Sequence, residues 1–139
     1  MPPREPPVSE GTRLAEVRRR LELVVTALYD RPILITPAPP PTRARRLARL
    51  LGRWMGAAPP PPAAANDGER IILPAELGGE EALSRDRLMA IAQAERIARG
   101  TAALAPRGDD ALERDLYLLF ESAAVDAAIA EKVPGLRAA

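Results

Sequence analysis

Apolar residues recur at three- and four-residue steps in four segments of the chain, and this spacing predicts four helices that each bury one face. The first helix is expected from about Ser9 or Thr12 to Tyr29, since either hydroxyl can accept an unpaired backbone N–H at a helix start. Pro32 ends it, because proline disfavours the helical conformation in the residue before it. Its apolar stripe consists of Leu14, Val17, Leu21, Val24, Val25 and Leu28.

The second predicted helix is amphipathic and basic. It is expected to run from a cap at Thr42 to about Met55. Its apolar face is formed by Ala44, Leu47, Leu50, Leu51 and Trp54. Much of its remaining surface is arginine, at Arg43, Arg45, Arg46, Arg49 and Arg53.

The last two predicted helices are more acidic. One runs from about Glu81 or Ser84 to Arg99 and ends at Gly100, the position where helices favour glycine. Its apolar side is expected to include Leu88, Ile91, Ala94 or Glu95, and Ala98. The other begins at Asp110, which with Glu113 has the spacing of a capping box, and ends at Lys132. Its stripe consists of Leu112, Leu116, Leu119, Ala123 and Ala127.

Two short apolar segments, residues 33–36 and 70–74, are predicted to be extended. They can pair as a minimal two-stranded ribbon, which is stable only with helices packed on it. Together these elements predict an all-α fold of about four helices, with one or two short extended segments and proline-rich linkers. The expected organisation is a disordered tail at 1–8, a basic helical segment at 9–56, a Pro/Ala-rich linker at 57–69 and an acidic helical segment at 70–136. The two helical segments are expected to pack as one domain.

The composition excludes several kinds of chemistry. The 139 residues include no histidine and no cysteine, so the common general base, the thiolate nucleophile and the usual zinc ligands are missing together. No glycine-rich phosphate loop occurs either. These absences predict a protein that is not an enzyme and that binds no cofactor or metal. The N-terminus has no apolar signal segment and no run reaches 18 apolar residues, so a cytoplasmic location is expected.

The net charge of +1 conceals an asymmetry between the two halves. Residues 1–58 carry 11 arginines and 5 acids, whereas residues 59–139 carry 9 basic residues and 14 acids. The halves can therefore attract each other, or the basic half can face an acidic partner. The arginine helix 43–53, with Trp54 at its end, is the candidate contact surface. Its arginines are interpreted either as a solvated face, as a site for an acidic protein, or as a site for nucleic acid or an acidic membrane.

Three carboxylates near the apolar stripes form a second set of candidates. Glu95 falls close to the stripe of its helix, and Glu121 and Asp126 flank a stretch of small residues. A buried carboxylate needs a cation or several hydrogen-bond donors, which an arginine of the preceding helix can supply. These acids are interpreted as structural or partner-contact residues.

The region 70–136 resembles a known family in the order of its motifs. An Ile71-Ile72-Leu73-Pro74 segment leads to a helix ending before Gly100-Thr101, and a second helix carries Leu119-Phe120-Glu121 and Asp126 before Pro134-Gly135-Leu136. This order is similar to the helical region that precedes the von Willebrand factor A domain in nitric-oxide-reductase activation protein D and the Rubisco-activase O subunit. Ser122 and Ala124 stand where that family has an acid and an arginine. No Asp-x-Ser-x-Ser metal motif occurs, so the von Willebrand A domain itself is absent.

The resemblance implies an adaptor for a MoxR-type AAA+ ATPase or its target enzyme. The expected function is therefore a non-enzymatic adaptor or scaffold that acts through protein–protein contacts. The alternative is an anion-binding module that uses the arginine helix 43–53. The sequence gives no information on whether the chain forms a homo-oligomer.

Overall fold

The computed structural model describes residues 12–40, 42–56, 63–77 and 82–135. The predicted tail at 1–8 and residues 57–62 of the predicted linker lie outside this described part. All four predicted helices are present within it. They are α1 (Leu14–Tyr29), α2 (Arg43–Trp54), α3 (Ala82–Arg99) and α4 (Ala111–Lys132), with a 3₁₀ turn at Thr101–Ala103 between α3 and α4.

The fold is not all-α, because the chain also builds a small mixed sheet. The strands are β1 (Thr12–Arg13), β2 (Leu34–Pro37), β3 (Ala65–Asn66), β4 (Arg70–Leu73) and β5 (Glu76–Leu77). One sheet has the order β2-β4-β3, with β2 and β4 parallel and β3 antiparallel to β4; β1 and β5 form a separate antiparallel pair. The prediction of an all-α fold was therefore wrong, and strand β3 lies inside the segment 57–69 that was assigned to the linker.

The sheet forms because its apolar residues have a helical layer to bury them. Ile35 pairs with Ile71 in the register of the parallel strands, and both side chains are buried. The connection from β2 to β4 passes through α2, which gives the long crossover that parallel strands need. The main core joins sheet residues to α1 and α3, through Leu14, Val17, Leu21, Val25, Ile33, Ile35, Ile71, Leu73, Ala90, Ala94 and Ile97.

Helix α4 packs on a different face of α3 from the face that packs on the sheet. On α3, Ala90, Ala94 and Ile97 belong to the core that includes the sheet. Ile91 belongs instead to a second cluster with Val125 and Ile129 of α4. At 100° per residue these two sets lie on different faces of α3. Val24 and Leu28 of α1 pack against this second cluster, so α4 packs on α3 beside α1.

Local signals define the ends of the last two helices. The Asp110 side chain accepts hydrogen bonds from the backbone N–H groups of Leu112 and Glu113, as a helix N-cap does. Gly100 follows α3 with φ of 63°, the left-handed conformation that glycine adopts without steric cost. The Tyr117 hydroxyl then donates to the Thr101 carbonyl oxygen at 2.6 Å, which fixes α4 to the turn that precedes it. No helix in the described ranges is long and apolar enough to cross a membrane.

Candidate functional site

Helix α2 exposes its apolar face. The helix begins where the Arg46 N–H donates to the Thr42 carbonyl oxygen at 2.9 Å. Trp54 is 88% exposed, and every other large apolar side chain described in and just after the helix is more than half exposed; these are Leu47, Leu50, Leu51 and Met55. A helix with an apolar face is stable mainly when that face is covered, so this surface is suited to a partner.

The predicted arginine site lies on this same helix. The side chain of Arg46 is exposed. The other four arginines of α2 are described by their backbone alone, and their side chains lie outside the described part of the structure; these are Arg43, Arg45, Arg49 and Arg53. The helix sequence contains five arginines and no acid, so its charge is +5. The structure thus places the arginines and Trp54 on one helix that is amphipathic and largely solvent-exposed.

A second exposed apolar surface lies on the N-terminal half of α4. Leu112, Leu116 and Leu119 repeat at steps of four and three residues, which is the spacing of a helix–helix seam. All three are exposed, and Phe120 beside them is 69% exposed. The side of α4 that is buried carries Val125 and Ile129 instead. We call the exposed residues Leu112, Leu116, Leu119 and Phe120 the α4 seam. The expectation that this stripe is the buried face was wrong, because sequence periodicity does not say which stripe the chain covers.

The first candidate acid, Glu95, is held inside the helical layers. It is 3% exposed and its Oε2 lies 2.7 Å from Nζ of Lys132, which is the last residue of α4. That same ammonium stands 4.5 Å from the centre of the Tyr29 ring. Burial raises the pKa of Tyr29, and the Glu95 carboxylate raises it further, so the phenol is neutral and donates to the Ile91 carbonyl oxygen. Glu95, Lys132 and Tyr29 therefore join α3, α4 and α1 through one internal charge cluster.

The other two candidate acids lie elsewhere on α4. The Glu121 carboxylate is 3.4 Å from Nε of Arg96, and a second Arg96 nitrogen donates to the Ser122 hydroxyl. Asp126 is exposed, and no ion pair of its side chain occurs among the described residues. The pairing of Glu121 with an arginine of the preceding helix matches what its sequence position suggested. Glu95 and Glu121 thus have separate cationic partners, and the three acids do not converge on a common cleft.

Sequence reasoning missed the buried acid Asp86. It lies early in α3, is 1% exposed, and its Oδ2 has no hydrogen-bond partner among the described residues. Burial raises the pKa of this carboxyl. An acid among polar residues at a helix start carries no sequence signal of burial, because acids are favoured there on exposed helices as well.

No group that resembles a catalytic or metal centre is present in the described ranges. Three or more side chains able to hold a metal ion do not come together there. A cavity of about 350 Å³ opens where the parallel strands β2 and β4 end. Arg18 supplies the one cation of its lining and Glu76 the one carboxylate. The cavity is lined by Leu14, Ala15, Arg18, Pro37, Ala75 and Glu76. None of these side chains is a nucleophile activated by a neighbouring base.

Comparison of the chain with family models, with curated proteins and with solved structures gives no match. The geometry itself therefore carries the functional argument. Two helices present apolar faces to solvent, and the carboxylates of Glu95 and Glu121 are paired with internal cations. Such an arrangement can bind a helix or an extended apolar surface, with arginines to select for negative charge.

Proposed function

We propose that this chain is a non-enzymatic adaptor that works in the cytoplasm by binding other proteins through helix α2. The observation that carries the proposal is the exposure of the apolar face of α2 on a helix of charge +5. A helix of this kind fits an acidic partner surface with an apolar groove. Leu47, Leu50, Leu51 and Trp54 supply the apolar contact, and Arg43, Arg45, Arg46, Arg49 and Arg53 supply electrostatic steering and selectivity.

A MoxR-type AAA+ ATPase, or the enzyme that it remodels, is the partner class we propose. The support is the resemblance of residues 70–136 to the helical region of the adaptors described above. In this proposal Glu95 and Glu121 keep the helices of that region in place, and the exposed Asp126 is free to contact a partner. The adaptor supplies binding surfaces, and the partner supplies any catalysis.

Site-specific photo-crosslinking in the native cells tests the proposal. A photoreactive side chain at Leu50 is compared with the same group at Leu34, an equally exposed leucine on β2. We expect a defined protein adduct, including an AAA+ ATPase, from position 50 and not from position 34. Replacing Arg45 and Arg49 by glutamate should abolish the adduct. Equal labelling from both positions, or no protein adduct from position 50, would contradict the proposal.

The arginines of α2 also support a second candidate function, the binding of nucleic acid or anionic membranes. For nucleic acid, the two functions differ in what the apolar face contributes. Binding to a nucleic acid depends on the arginines and weakens steeply with salt, whereas Leu47→Ser and Leu51→Ser should change it little. Binding to a protein groove needs both the leucines and the arginines. Titration of the purified chain and these variants with single-stranded DNA and with anionic vesicles separates the candidates.

A further inference from the structure

From the exposed faces of α2 and α4, we infer that the chain forms a two-fold dimer in which helix α2 of each copy docks on the α4 seam of the other. The inference rests on the proposed function, because it names a second copy of this chain as one protein that occupies the α2 surface. Three observations carry it: the matching spacing of the two apolar faces, their opposite charges, and the exposure of both faces within the described part of one chain.

The two faces have the spacing of helices that pack against each other. On α2, Leu47, Leu50 and Trp54 follow one another at steps of three and four residues. On α4, Leu112, Leu116 and Leu119 follow at steps of four and three. Apolar residues at these steps place side chains from one helix into the gaps of the other, at a small crossing angle. Both faces are exposed, and no described residue of the same chain covers them.

The charges beside the two faces are complementary. Helix α2 carries five arginines and no acid. Residues 109–126, which include the α4 seam, carry six acids and one arginine. One of those acids, Glu121, is paired with Arg96, and another, Asp110, caps the helix, so four others in this segment border the seam region. Oppositely charged borders favour this pairing over α2 with α2 or α4 with α4, where like charges would meet.

The exposure of both faces favours a second copy over the same chain. Leu50 of α2 is 62% exposed and Leu119 of the α4 seam is 64% exposed, so the two faces do not cover each other within the described part of one chain. Reciprocal exchange between two copies uses both α2 helices and both seams, and closes as a two-fold dimer.

Disulfide trapping tests the inference cleanly, because the chain has no cysteine of its own. Leu50→Cys and Leu116→Cys are purified as separate variants of the full chain, mixed, and allowed to exchange in a glutathione buffer. The matched control uses Leu34→Cys in place of the Leu50→Cys variant, because Leu34 is similarly exposed but lies on β2. We expect the adduct between positions 50 and 116 to exceed the adduct between 34 and 116 by about tenfold or more, since docking raises the local concentration.

A charge exchange provides an independent arm. By helical spacing, positions 43 and 46 border the apolar face of α2, and positions 115 and 126 border the α4 seam. Arg43→Glu with Arg46→Glu should abolish the adduct. Adding Asp115→Arg and Asp126→Arg in the other copy should restore it. Sedimentation velocity of the same proteins without the added cysteines should agree. Wild type should be a dimer and the Arg43→Glu, Arg46→Glu variant a monomer. Mixing that variant with the Asp115→Arg, Asp126→Arg variant should restore the dimer.

Three results would overturn the inference. The first is an equal yield of the adducts that positions 50 and 34 form with position 116. The second is an intrachain disulfide when Leu50→Cys and Leu116→Cys are combined in one chain. The third is a wild-type chain that stays monomeric at all concentrations. If crosslinking at position 50 still captured an acidic protein in any of these cases, the proposed function would stand and only the second copy would be rejected. Docking of α2 on vesicles alone would reject both.

Discussion

Replacing Lys132 by methionine should destabilise the protein, because it removes the ammonium that lies against the buried Glu95 carboxylate. The two charges are 2.7 Å apart, and Glu95 is 3% exposed whereas the Lys132 side chain is 43% exposed. Methionine keeps most of the apolar stem of the lysine and fits the same helix end. The main loss is therefore the charge, together with its contact on the Tyr29 ring at 4.5 Å.

The size of the effect follows from the exposure of the two partners. Removing one member of a fully buried ion pair costs about 3–5 kcal/mol, because the other charge is left without compensation. Lys132 reaches the surface, so water can enter where the ammonium stood, and we reduce this cost to about 2 kcal/mol. The lost contact with Tyr29 adds about 0.5 kcal/mol. With a urea m-value of about 2 kcal/mol/M, the unfolding midpoint should fall by roughly 1 M.

The assay is urea unfolding of four proteins followed by circular dichroism: wild type, Lys132→Met, Glu95→Gln and the double variant. The double variant should be more stable than the two single losses predict by about 1–2 kcal/mol, since it leaves no unpaired charge inside. Glu131→Gln, one residue before Lys132 and exposed, is the control and should unfold like wild type within about 0.5 kcal/mol. A Lys132→Met protein as stable as wild type would show that Glu95 is not held by this pair.

Three further changes test other parts of the structure. Asp86→Asn should raise the free energy of unfolding at pH 7 by about 1 kcal/mol, because burial raises the pKa of the folded carboxyl and its ionised form therefore opposes folding. The gain should shrink as the pH falls through about 4 and vanish near pH 3, where the carboxyl is protonated in both states; a gain that is independent of pH would refute this cause. Tyr117→Phe should cost about 1 kcal/mol in a thermal melt, through loss of its 2.6 Å bond to Thr101. Gln93→Ala should cost about 2 kcal/mol and speed amide exchange in β3, since Gln93 binds Asn66 at 2.7 Å; unchanged exchange would count against that role.

The four helices were predictable because their signals are local. Three- and four-residue apolar steps, the cap at Asp110 and the glycine at position 100 each act within a few residues, and each is found in the structure. The two extended segments were also recognisable as short apolar stretches, and their predicted pairing is confirmed. Its parallel direction and its register were not predicted, since Ile35 and Ile71 are 36 positions apart and nothing local fixes their alignment.

The candidate site shows where periodicity stops being informative. The stripe Leu112, Leu116 and Leu119 is more regular than the pair Val125 and Ile129, yet the chain buries the second and exposes the first. Which stripe is covered depends on how α3 and α4 meet, and that is a property of packing. Buried polar residues such as Gln93 and Asp86 were missed for a related reason, since their partners come from tertiary contacts. The exposed seam is thus the feature that only the structure supplies.

The central claim is that α2 and the α4 seam of two copies of this chain cover each other. Hydrogen–deuterium exchange of the wild-type chain over a series of protein concentrations measures this directly. The account predicts that amides of α2 and of the first half of α4 gain protection as concentration rises, while those of α1 and α3 do not change. Protection of α2 that is already complete at the lowest concentration, or that never appears at any concentration, would contradict it.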